Sequence, residues 1–334
     1  MNENKELQYQ NLSLDNFKEF YNSFNSVDEL IKFTYSRERS SVRTIFSPSN
    51  GKSLITAVIP TKSSESPISQ ELSKKLSKIN VLWVESDGAL FNFSYAMNVG
   101  IREALKIGSE FIMLSNDDIF PIDDPSTIDN YINRMGEKFD LFFPQVFNSG
   151  LFISPIQSIY RQSILTTHYF NSSHKRRVFE VDKIRYVRSL IQSVKFYSEP
   201  DVMKYIILRQ NDPILAYHST IFARKSKEFI LKRMNKLLLR INNIQPISII
   251  RASLLESETF DESFVNGGED VDLSVRLSLK GTRVGYLSER FQNIGGYSLG
   301  TGIERTLRNT FPEILILGYK LNKYFPVTNG SSLF

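Results

Sequence analysis

The 334-residue chain contains no cysteine. That excludes a disulfide framework, a Cys-ligated zinc site and a thiol nucleophile. Histidine is scarce too: His168, His174 and His218 show no close metal-ligand spacing, so each reads as a structural or surface residue. No apolar run reaches the roughly 18 residues needed to span a bilayer, so any membrane contact is expected to be peripheral. The start, MNENKELQYQ, has no apolar stretch behind a basic end; the expectation is no secretory signal and a cytoplasmic location. Internal repeats and low-complexity tracts are absent. Gly51-Lys52-Ser53 lacks the glycine that a phosphate-binding loop needs five positions earlier, where Phe46 stands, and it precedes a strand instead of following one. No helix-turn-helix, finger or RNA-recognition pattern stands out, and a net charge of +5 is weak support for nucleic-acid binding.

What is present fits a folded protein: 41% hydrophobic and 23% charged residues exclude the disordered class. Leu14, Phe17, Phe20 and Tyr21 recur at helical spacing near the start, and SPSNGKS at 47–53 reads as a linker. From Leu54 strands and helices alternate. LITAVIP (54–60), VLWVES (81–86) and FIMLS (111–115) read as strands; ISQELSKKLSKI (68–79) and SYAMNVGIREALKIG (94–108) read as helices, the second capped by Ser94 and stopped by Gly108. This alternation predicts a parallel sheet covered by helices, with ligands bound beyond the carboxyl ends of the strands. Thr61–Lys62, Glu85–Asp87 and Asn116–Asp118 would lie on that edge.

FIMLSNDD (111–118) ends an apolar run on adjacent carboxylates. Taken alone it is a turn, since Asp and Asn bond nearby backbone groups; at a strand tip it also suits a hard divalent cation. FDLFFPQVF (139–147) and ILAYHSTIFA (214–223) are further candidate strands. FILKRMNKLLLRI (229–241) reads as a basic amphipathic helix whose apolar face is either core or a membrane surface. The basic segments 174–188 and 224–240 are solvated faces or docking patches for anionic partners. Farther on, GGEDVDLSVRLSLKG (267–281) opens with Glu269, Asp270 and Asp272 in what reads as the first turn of a helix ended by Gly281. Carboxylates there cap the helix and complement its dipole; the Gly-Gly also permits close approach to a ligand, and a carboxylate beside it can act as a base.

In order, AVIPTK, VESDG, AMNVGIREA, the strand ending in NDD, and FDESF followed by GGEDVDLSVRL resemble a family 2 glycosyltransferase of the GT-A fold. The resemblance covers about Leu54 to Gly300 and is carried mainly by FDE-x-F and G-E-D-x-D-L-x-x-R. It implies an α/β, Rossmann-like GT-A fold: a mostly parallel central sheet flanked by helices, with an N-terminal helical extension and a helical insertion. The domain would span 53–300, with 148–250 as a variable acceptor-side region, between extensions at 1–52 and 301–334.

The resemblance further implies inverting, metal-assisted transfer from a nucleotide-diphosphate sugar to a hydroxyl acceptor on a glycan, a lipid-linked molecule or a protein. Pro60, Thr61, Glu85, Asp87, Asn98, Asn116 and Asp117 would bind the nucleotide sugar, and Arg276 would reach a phosphate or support its helix. Asp118 would hold Mn²⁺ or Mg²⁺, Asp270 would be the general base, and Glu269 would contact acceptor or sugar. Asn293 stands where the family often has a histidine ligand; its carbonyl can still serve a hard cation. Three rivals remain. A sugar-1-phosphate nucleotidyltransferase would carry a Gly-rich basic loop where this chain has TKSSESP. The others are a non-catalytic nucleotide-sugar binder and a nucleic-acid-binding protein.

Overall fold

The computed structural model describes residues 2–13, 15–147, 152–153, 205–209, 237–241, 247–294, 308 and 311–325. The strand expected at 214–223, the basic segment 174–188, the three histidines and the glycine-rich stretch 295–300 lie outside these residues. In chain order the described elements begin with helices α1 (Asn2–Gln10), α2 (Phe17–Asn22) and α3 (Val27–Ser36). There follow β1 (Arg43–Ser47), β2 (Ile55–Thr61), α4 (Pro67–Lys75), β3 (Asn80–Glu85), α5 (Phe93–Ile107), β4 (Phe111–Leu114), β5 (Ile119–Pro121) and α6 (Ser126–Met135). Then come β6 (Leu141–Phe147), β7 (Phe152–Ile153), β8 (Tyr205–Arg209), β9 (Leu237–Ile241), β10 (Ser248–Arg251), α7 (Ala252–Ser257), α8 (Glu269–Leu279), β11 (Val284–Asn293) and α9 (Phe311–Tyr324).

Eight strands form one sheet in the order β1-β3-β2-β4-β10-β6-β11-β5, and β7-β8-β9 form a small second sheet. The large sheet corrects the expectation of mostly parallel pairing. Only β2–β3, β2–β4 and β6–β11 pair in parallel; β1, β10 and β5 run against their neighbours, so the sheet is mixed. Short strands such as β10 and β5 can enter antiparallel because no crossover helix fixes their direction.

Successive strand residues face opposite sides, and the core divides accordingly. Ile55, Ala57, Ile59, Val81, Trp83 and Met113 pack with Leu72 and Leu76 around α4 and with Ile128 and Ile132 of α6. Val58, Leu82, Val84, Ile112 and Leu114 face Ala96, Met97 and Ile101 of α5, Leu255 of α7, and Leu273 and Leu277 of α8. This is a three-layer arrangement of the α/β kind. Gly100 is where α5 lies closest to the sheet: a Cβ there would sit 2.4 Å from Val58 Cγ1 and 2.6 Å from Val84 Cγ2. Both are stiff, buried side chains, so Gly100→Ala is expected to cost about 1–3 kcal/mol by overpacking, read as a lower urea midpoint.

The two segments expected as separate extensions share one core. Phe17, Phe20, Tyr21, Phe24 and Leu30 pack against Phe311 and Leu315 of α9, with Phe311 ring centroids 4.8 Å from Phe17 and 4.7 Å from Tyr21. Two local readings change. Helix α5 begins one residue earlier than expected, and Asn92 caps it by accepting the Tyr95 N–H at 2.8 Å, while Ser94 is buried. Of the helix expected over 229–241, residues 229–236 lie outside the described residues, and Leu237–Ile241 is a strand parallel to β8. A short apolar run does not separate strand from helix by periodicity alone, and here β-pairing decides. Among the described residues, no helix is long and apolar enough to cross a membrane.

Candidate active site

The tips of β2, β3 and β4 meet on one edge. Thr61 is opposite Glu85 in the β2–β3 register. Its hydroxyl donates to Asp117 Oδ2 at 2.9 Å, tying the tip of β2 to the turn after β4. That turn is closed by the Ile119 N–H donating to the Asn116 carbonyl at 3.2 Å. Asn116-Asp117-Asp118 is therefore a turn, and it carries two half-buried carboxylates. Burial pushes the Asp117 pKa up, the neighbouring Asp118 charge adds to it, and the Thr61 hydroxyl works against both.

The β3 tip is also polar and organised. Glu85 accepts from the Ser64 N–H at 2.8 Å and the Ser64 hydroxyl at 2.7 Å, and these bonds hold its pKa below the usual carboxylate range. Asp87 is exposed, paired with Lys62 at 2.9 Å and bonded to the Gly88 N–H; the Lys62 contact leads in lowering its pKa. Asn293 arrives from far along the chain. It is opposite Ile119 in the β11–β5 register, and the next residue, Ile294, donates its N–H to the Asp118 carbonyl at 3.0 Å. The nearby Asp123 and Asp124 are occupied by Arg290 and by the Ser126 N–H.

Asp117, Asp118 and the Asn293 amide are all oxygen donors of the kind Mg²⁺ and Mn²⁺ accept. Among the described residues, no group of three or more His, Cys, Asp or Glu is arranged to hold a metal by itself. The donor set fits a cation bound by one or two carboxylates and completed by substrate phosphates, which is how Mg²⁺ is commonly held.

The segment that leads into the second acidic cluster is held by α5. Helix α5 starts just beyond the tip of β3, and its N-terminus grips residues 260–265. The Phe93 N–H donates to the Val265 carbonyl at 2.8 Å, and the Asn92 amide to the Glu262 carbonyl at 3.1 Å. Asn98 is buried. Its amide donates to the Phe260 carbonyl at 2.8 Å and to Glu262 at 2.9 Å, and its oxygen accepts the Phe260 N–H at 3.0 Å. Asn98 thus holds the Phe260–Asp261–Glu262 segment to α5. Beyond this segment, Gly267 (φ 155°) and Gly268 (φ 84°) turn the chain in conformations that a side chain would strain, and Gly268 caps α8. Glu269 is buried and Asp270 half-buried in the first turn, where the Val271 N–H donates to Asp270 Oδ1 at 2.8 Å.

The carboxylate two residues on has a different task. Asp272 is fully buried and accepts from Arg276 Nε at 2.9 Å, Lys320 Nζ at 3.0 Å and the Tyr324 hydroxyl at 2.8 Å. Arg276 also pairs with Glu258 and donates to the Thr259 carbonyl at 2.6 Å. Of the two roles expected for Arg276, these contacts supply the support of its helix. Lys320 also pairs with Asp261, and Arg39 pairs with Glu262. Lys320, Arg39 and Asn92 were missed by sequence reasoning.

Burial works to raise the Asp261 pKa, but Lys320 and bonds from Ser263 outweigh it, so the net displacement is downward. A depressed carboxylate stabilises the fold above its unfolded pKa of about 4, and that contribution is lost as pH falls through the folded value. Thermal unfolding followed from pH 7 to pH 3 is therefore expected to show an acid limb that Lys320→Met flattens.

No protein-family model matches the chain, and no curated protein matches it. Among solved structures it is similar to S. aureus TarS 1-349, with 13% identity, 71% of this chain and 59% of that chain covered, and a TM-score of 0.35. It is also similar to A197 from STIV, with 11% identity, 70% and 81% covered, and a TM-score of 0.32. The chain spans about three-fifths of the TarS 1-349 structure.

Proposed function

We propose that the chain transfers a sugar from a nucleotide-diphosphate sugar to a hydroxyl acceptor with inversion. The observation that supports this reading is that the Asn116–Asp118 turn is bonded to the tip of β2, while residues 260–265, which lead into Glu269–Asp270, are bonded to the N-terminus of α5 beyond the tip of β3. Base and ribose of the donor lie against the tips of β2 and β3, with Pro60 and Thr61 on one and Glu85 and Asp87 on the other. Asp118, with Asp117 and the Asn293 carbonyl, would hold Mg²⁺ or Mn²⁺. When bound, that cation neutralises charge on the diphosphate.

Asp270 takes the proton from the acceptor hydroxyl as its oxygen attacks the anomeric carbon. The new carbon–oxygen bond forms as the bond to the diphosphate breaks, and the nucleoside diphosphate leaves with the electron pair. Burial and the Asp118 charge disfavour the ionised form of Asp117, and a cation bound beside it would oppose both.

The test is a nucleotide-sugar panel with and without Mn²⁺ or Mg²⁺, scored for binding and for slow donor hydrolysis. Cation-dependent binding and hydrolysis of one donor are expected. Silence across the panel overturns the reading.

A further inference from the structure

We propose that Glu313, in the first turn of α9, is a positioning residue that fixes the backbone turn carrying Asp270; this rests on the transfer reading above. The turn is Asn266-Gly267-Gly268, and glycines have no side chains to set their own conformation. Something outside must remove that freedom if the next two residues are to present a carboxylate in one place. Glu313 does so from α9. Its carboxylate, only 3% exposed, accepts the Asn266 N–H, and Gly267 is pressed so closely against it that a Cβ there would be 2.5 Å from Glu313 Oε2. Phe264 closes the other side, 3.2 Å from where a Gly268 Cβ would be.

A prop is useful only if it is itself rigid, and α9 is held on two faces. One face packs Phe311 and Leu315 into the N-terminal helices. The other packs Ile316, Leu317 and Leu321 against Val271 and Val275 of α8. Lys320 and Tyr324 then lock α9 to Asp272, two residues beyond Asp270. Glu313 and Lys320 thus bracket the catalytic turn from one helix, one ahead of it and one behind.

Misplacing a reacting group by about 1 Å can cost on the order of 10²-fold in rate. Turnover and donor affinity are to be measured for wild type, Glu313→Ala and Glu313→Gln, with the donor and cation identified by the panel. The Ala variant is expected to lower kcat by about 10- to 100-fold with donor Kd unchanged. The Gln variant, whose amide oxygen still accepts the Asn266 N–H, should recover most of that loss. Equal kcat for wild type and Glu313→Ala overturns the inference alone, as does an Ala loss that Gln does not rescue. Silence of the wild-type chain removes the transfer reading and this inference with it. Where Glu313→Ala does not fold, Gly267→Ala disturbs the same contact from the opposite side and is read by the same split between kcat and Kd.

Discussion

Asp270→Asn is expected to lower sugar transfer by roughly 10²–10⁴-fold, the usual worth of a general base, while leaving donor and cation binding unchanged. The substitution keeps size and shape, and Asn retains an oxygen that can accept the Val271 N–H now bonded to Asp270. It removes only the ability to take a proton. Calorimetry with the donor and single-turnover transfer separate the two effects. Asp118→Asn is the complementary variant and should weaken cation-dependent donor binding first. Normal turnover by Asp270→Asn would remove the base assignment even if the donor site stood.

Asp272→Ala is expected to be the more damaging change to the fold, at about 2–3 kcal/mol, because it takes one shared acceptor away from three largely buried donors. Arg276 and Lys320 both donate to this fully buried carboxylate, as does the Tyr324 hydroxyl. Removing the carboxylate leaves Arg276 with Glu258 and Lys320 with Asp261, but takes away the acceptor that ties both, and the Tyr324 hydroxyl, together between α8 and α9. The check is the denaturation midpoint in urea, with Asp272→Asn as the milder partner, since it keeps acceptors for part of the network. A loss within about 1 kcal/mol of wild type would mean that the network stabilises little and that apolar packing alone joins the helices. Neighbouring carboxylates in one motif therefore give different phenotypes: Asp270 should lose chemistry and keep stability, Asp272 the reverse.

The sequence carried these elements unequally, and the reasons are physical. β2, β3 and β4 were legible because buried strands with polar tips leave an unmistakable pattern, and α5 and α8 because their apolar positions repeat at helical spacing. Strand β1 was not, since it is a largely uncovered edge whose residues alternate weakly. β10 was lost because four residues are too few to show a period, and β5 because three are. In the site, Asn116–Asp118 was readable as carboxylates at the end of an apolar run, and Glu269–Asp270 as carboxylates in the first turn of a helix. The roles of Arg39, Glu313 and Lys320 were not, because each pairs with a residue distant in the chain and nothing local encodes such a partner. Asn98 shows another limit: its motif was visible, but its bonds to Phe260 and Glu262, more than 160 residues away, were not.

Strand β10 has a further consequence, which concerns the order of assembly. It lies between β4 and β6, antiparallel to both, so among the described residues the strand pairing that joins β1 to β4 with β6, β11 and β5 runs through Ser248–Arg251. During synthesis the first half can pair as soon as residue 114 has emerged, yet the open edge of β4 must then wait for more than a hundred residues. Such non-local closure slows folding, and an unpaired apolar edge can recruit other chains meanwhile. Ile249 and Ile250, completely buried once in place, are thus the late seam of the sheet. Substitutions there should reduce soluble yield more than their effect on the finished protein's stability would suggest.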